Sequence, residues 1–157
     1  MRLFPSQYDL EKALTDITRE AGPHLGLVSA DVPLISNLDV WQNIALVCQC
    51  RQHRANKNVN SLVDQGLQRF GLEGIATKRN PSLSEEERFL VMLLRAAMVP
   101  EAVIVIDRLF RIIHCLADDS FVQKKLEKIE DMFTKCYIMD YSHNKNICEM
   151  TDAADGS

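Results

Sequence analysis

Apolar residues recur along this chain in two rhythms. Leu10, Leu14, Ile17 and Ala21 repeat at three- and four-residue spacing, the period of one helix face. They predict an amphipathic helix over 6–21, capped by Ser6 with Asp9 as its reciprocal partner. Gly22-Pro23 stops it. Val40, Ile44, Val47 and Cys48 predict a second helix, capped by Asp39 with Gln42 at the capping-box position. A third runs over 61–70 and ends at Gly71. A fourth runs from Ser84 to Val99, where Pro100 closes it. A fifth starts at Asp119-Ser120, with Val122, Leu126, Ile129 and Phe133 inward and Lys124, Lys125 and Lys128 on a solvated face. The polar stretch 51–60 reads as a loop or frayed end, and 72–81 as a short link.

The second rhythm is continuous. Ala102 to Ile106 reads AVIVI and ends in Asp107. An unbroken apolar run of this length predicts a strand buried on both faces, as in a parallel sheet. Cys136 to Tyr141 predicts another, and Leu25 to Ser29 a shorter one. Buried strands joined by a helix form a right-handed crossover. The expected fold is therefore α/β, a small parallel sheet with an inserted helical subdomain over about 34–100. An N-terminal helix occupies 1–24, the main domain 25–150, and a polar, disordered tail 151–157.

Composition narrows the function. The 157 residues suffice for one domain with a real core, and 46% hydrophobic against 25% charged is ordinary for a globular chain. A net charge of −4 and 6% aromatics argue against nucleic acid as a partner. No apolar run has the length a membrane span needs, and the start lacks a signal-peptide core, so the expected address is cytoplasmic, without direct membrane insertion. The five cysteines, Cys48, Cys50, Cys115, Cys136 and Cys148, form no C-x-x-C pair. They read as reduced, small hydrophobes. His53 near Cys48 and Cys50 has no second ligand pair to complete a zinc site, so no metal is expected. There are only six glycines, where a phosphate-binding loop uses several within a few positions.

Four landmarks stand in order. The first is Gly26-Leu27-Val28-Ser29-Ala30-Asp31-Val32-Pro33-Leu34, followed by Asn37 to Leu46. The second is Phe70-Gly71-Leu72. The third is Leu83-Ser84-Glu85-Glu86-Glu87-Arg88, running into Leu94-Arg95-Ala96-Ala97-Met98. The fourth is Ile104-Val105-Ile106-Asp107, with Asp140-Tyr141-Ser142-His143 further on. In order and spacing this resembles the ATP-binding subunit of ABC transporters, over about residues 25–148. The resemblance implies a P-loop-NTPase-like core. It makes Asp107 similar to the magnesium-binding aspartate, Ser84 to the signature serine and His143 to the switch histidine.

The departures carry the functional argument. The family's Walker A loop, G-x-x-x-x-G-K-[ST], belongs well before Ala30, where this sequence has only 29 residues and no such motif. The N-terminal helix is expected to stand in its place. The family's signature glycines are Glu85 and Glu86 here, and three carboxylates in a first helical turn repel a polyphosphate. The water-polarising glutamate is Arg108, which is no general base near neutral pH. The family's glutamine is Ala30, and its D-loop aspartate aligns with His114.

These losses lead to the expectation of a degenerate, non-hydrolytic relative that binds a protein and needs no cofactor. The resemblance suggests a membrane permease subunit, an ABC ATPase subunit or a second copy of the chain as partner. It places the contact surface at Pro33, Leu34, Leu38, Trp41 and Gln42. The competing reading is an ATP-binding transporter component, using ATP and magnesium, whose phosphate loop a partner supplies. A third reading is an unrelated enzyme using Cys115 with His114 or His143.

Overall fold

The computed structural model describes residues 1–52, 57–114, 116 and 118–144. Strands β1 (Arg2–Phe4), β2 (Leu25–Ser29), β3 (Ala102–Asp107) and β4 (Phe133–Tyr141) form one sheet in the order β1-β4-β3-β2. Every pairing is parallel. The helices are α1 (Gln7–Ala21), α2 (Val40–Gln52), α3 (Lys57–Phe70), α4 (Glu85–Ala97), the single turn α5 (Leu109–Ile112) and α6 (Ser120–Glu127). The α/β fold with a small parallel sheet is as the apolar runs predict.

The two faces of the sheet are covered unequally. On one, Ile104, Ile106, Val28 and Ile138 join a core made with α2, α3, α4 and α6. On the other, Val105 and Met139 pack against Leu10 and Ile17 of α1. This is why AVIVI does not alternate: both its faces are buried. The inserted helices share the sheet's own core and have no separate one. Gly26 sets how closely α4 approaches, since a Cβ there would lie 2.5 Å from the Ala96 carbonyl oxygen.

The caps match their sequence signals. Ser6 accepts from the Asp9 amide and donates to its carboxylate. Asp39 and Gln42 bond reciprocally, as do Ser84 and Glu87. Four expectations change. The N-terminal segment is not all helix, because Arg2–Phe4 pairs with β4 as an edge strand. The third helix starts at Lys57, inside the stretch read as a loop. The last helix stops at Glu127, and Phe133 opens β4. Its cap bond to the Ser120 amide comes from Asp118, one residue before the expected Asp119. His53, Cys115, Cys148 and the tail lie outside the described residues.

Candidate functional site

The carboxyl ends of parallel strands are where α/β sheets present functional groups, because the connecting loops open there. In this chain Ser29 ends β2 and Asp107 ends β3. Both are buried, with Asp107 2% exposed. The Ser29 hydroxyl donates to Asp107 Oδ2 over 3.0 Å. The other partner of Asp107 is its own neighbour. Arg108 has a left-handed backbone, φ 52°, and its side chain turns back onto Asp107. Its Nε donates to Oδ1 over 3.0 Å and its Nη2 to Oδ2 over 2.7 Å. The same Nη2 reaches Asp31 Oδ2 at 2.7 Å. Arg111, one turn on, flanks Asp31 at 3.3 Å.

Two carboxylates and two guanidiniums thus close a network in which the charges cancel. The hydrogen bonds to Asp107 push the Arg108 pKa further up, and the charges of Asp107 and Asp31 add to this; burial opposes it. Arg108 stays protonated at any working pH. The backbone supports this geometry, since the Arg108 amide donates to the Met139 carbonyl and extends the β3–β4 ladder. On β4, Asp140 is fully buried, yet it accepts from the Phe110 and Tyr141 amides and from Asn144 Nδ2, each at 2.7 Å. Exposed His143 stacks on Tyr141, with ring centres 5.1 Å apart.

The residues singled out from sequence fall into three places. Asp107 and Arg108 meet in the network. Glu85 and His114 meet elsewhere, where His114 bonds Glu85 through both its amide and Nδ1, tying the start of α4 to the loop after α5. The His114 hydrogen bonds hold the Glu85 carboxyl below the usual range. Ser84 and Glu86 are exposed at the same helix start, and Ala30 is exposed beside Asp31. Ser29, Asp31, Arg111 and Asp140 belong to the strand-end arrangement, and the sequence assigns none of them a role. The available signal was the pair Arg108 and Arg111, three apart and so on one side of a turn.

The expected contact surface divides. Leu34 is 3% exposed and belongs to the core, so it offers nothing to a partner. The buried Asn43 side chain holds this loop by bonding Ile35, Leu38 and Asp39. Pro33 is exposed, although its carbonyl accepts from Arg95. Leu38, Trp41 and Gln42 line a shallow groove of about 280 Å³ with Ala45, Leu46 and Gln49. The Trp41 indole N–H donates to Asp64 Oδ1 over 2.9 Å, which fixes the ring's edge.

No protein-family model and no curated protein matches the chain. A solved structure does match: cbiO1 from Clostridium perfringens, described as part of the ABC transporter complex cbiONQ. The TM-score is 0.59 at 19% identity, over 79% of this chain and 49% of that one. The fold is ABC ATPase-like. The chain spans about half the length of the structure it matches.

A fold of this kind implies Mg-ATP, and the described residues do not fit it. Magnesium requires free carboxylate oxygens in a near-octahedral shell. Both oxygens of Asp107 already accept from Arg108, whose positive charge stands beside them. Phosphate requires a glycine-bearing loop between a strand and a helix. Here β1 joins α1 through Pro5-Ser6, β2 joins α2 through residues 30–39, and β3 joins α5 through Arg108. None of these junctions contains a glycine. Among the described residues no group of three or more His, Cys, Asp or Glu is placed to hold a metal ion. No helix there is long and apolar enough to cross a membrane.

Proposed function

We propose that this chain is a non-hydrolytic, ABC ATPase-like protein that acts by binding another protein, as an accessory or regulatory subunit of a transporter. The observation that carries this reading is the absence of glycine from every strand-to-helix junction among the described residues. A phosphate chain is bound by backbone N–H groups that only such a loop can bring close. The first junction goes further: Ser6 and the Asp9 carboxylate already occupy the start of α1. The second helix start that would face a nucleotide carries Glu85, Glu86 and Glu87.

Binding is assigned to the groove on α2. It presents Leu38, Trp41 and Leu46, with Leu46 36% exposed. A permease segment or an ABC ATPase subunit is the partner this fold suggests, and a second copy is the third candidate. The site of action is the cytoplasmic side of such an assembly. Residues that match motif positions, Ser84, Asp107 and His143, favour a second reading in which a partner supplies the phosphate loop. Calorimetry with Mg-ATP, with and without an ABC ATPase subunit, separates the two. The proposal predicts no heat from this chain alone and, in the mixture, no more heat than the ATPase subunit gives by itself; saturable heat beyond that of the subunit supports the second reading.

A further inference from the structure

Asp107 poses an electrostatic problem at the end of β3. A carboxylate 2% exposed needs hydrogen-bond donors or a compensating positive charge, because desolvating it unpaired is costly, and Asp107 lacks the three neutral donors that serve Asp140. Its neighbours at the strand ends make this worse, since Asp31 adds a second negative charge to the same cluster. Ser29 contributes only a neutral hydroxyl. Among the described residues the helical layer supplies no cation to Asp107: its ionic contact there is Arg108, while Arg111 reaches Asp31.

We infer that Arg108 is a tethered cation, its guanidinium filling the position between Asp107 and Asp31 that a divalent metal ion would otherwise have to occupy. Three features support it. One guanidinium nitrogen contacts both carboxylates at 2.7 Å, a bridging position rather than a one-sided pair. The side chain is only 15% exposed, so water screens the contact weakly. The left-handed backbone at Arg108 is strained for a non-glycine residue, and it is kept where it aims the side chain back over the preceding aspartate. The inference concerns charge balance and stands apart from the proposed protein-binding role, because its test contains no nucleotide and no partner.

The test is thermal unfolding of the full chain and of three variants, with EDTA or with MgCl2 or MnCl2. Arg108→Asn removes the charge and keeps a side chain tolerant of the left-handed backbone. Its Tm in EDTA is expected about 5–10 °C below that of the unaltered chain. Millimolar Mn²⁺ or Mg²⁺ is expected to recover about half of that loss or more, by binding the folded form alone. The unaltered chain is expected to be insensitive to either ion. Arg108→Lys, which keeps the charge, is expected to lose less and gain nothing from metal. Asp107→Asn combined with Arg108→Asn removes the demand for a cation and is expected not to respond. If Arg108→Asn fails to fold in EDTA, refolding in Mn²⁺ must recover it. Three results overturn the inference: an equal Tm loss with and without metal, a metal-dependent gain in the unaltered chain, or a metal-dependent gain that survives in the double variant.

Discussion

Glu101 and Arg108 are the two described non-glycine residues with a positive φ, both at 52°, and their side chains do opposite things. Glu101 is exposed, and its nearest charged contact is His24 at 3.8 Å. Arg108 bridges two carboxylates in a largely enclosed site. Glycine at either position relieves a backbone cost of about 1–2 kcal/mol. For Glu101→Gly the relief is offset only by unfolded-chain entropy, so a gain of about 0.5–1 kcal/mol is expected. For Arg108→Gly the relief is smaller than the ~3–5 kcal/mol cost of leaving a buried carboxylate unpaired. A net loss of about 2 kcal/mol is therefore expected. Denaturant unfolding of both variants measures the two signs. The sequence shows that Arg108 is no general base; it does not show the ion pair, because that depends on a left-handed turn which arginine itself does not signal.

The elements with a strong periodic pattern and a side-chain cap were legible: α1, α2 and α4 begin where Ser6, Asp39 and Ser84 place them. Strand β1 was not, for a physical reason. Arg2-Leu3-Phe4 is too short to show a period, and its partner β4 comes from the other end of the chain. The start of α3 was hidden because Asn58 and Asn60 are polar positions on its exposed side, with only Val59 turned inward. The junction of α4 with the loop after α5 carries a pH dependence. The Glu85 pKa is lowered by its hydrogen bonds to His114, so the contact stabilises the fold above the usual value of 4.5. That stabilisation is lost as pH falls through the lowered value. Glu85→Gln is expected to flatten this part of the acid limb. Stability measured at about pH 6 and about pH 3 should fall less in the variant than in the unaltered chain.

At the scale of the molecule, the sheet and its helical layer follow from where the apolar residues lie, and together they match an ABC ATPase-like fold. The site was legible as a set of substitutions. The charge network around Asp107 was not, because Ser29, Asp31 and Arg108 meet only when β2 and β3 pair with Ser29 beside Asp107. Nor does the sequence separate Leu34 from Leu38: one is core and the other lines a groove, although both sit in the same loop-and-helix entry. The proposed function has the chain work without nucleotide. Thermal unfolding with and without saturating Mg-ATP tests it most directly, since any ligand bound to the folded form alone raises Tm. A Tm that does not move is expected. A rise of about 3 °C or more, equivalent to roughly 1 kcal/mol of binding linkage, contradicts it.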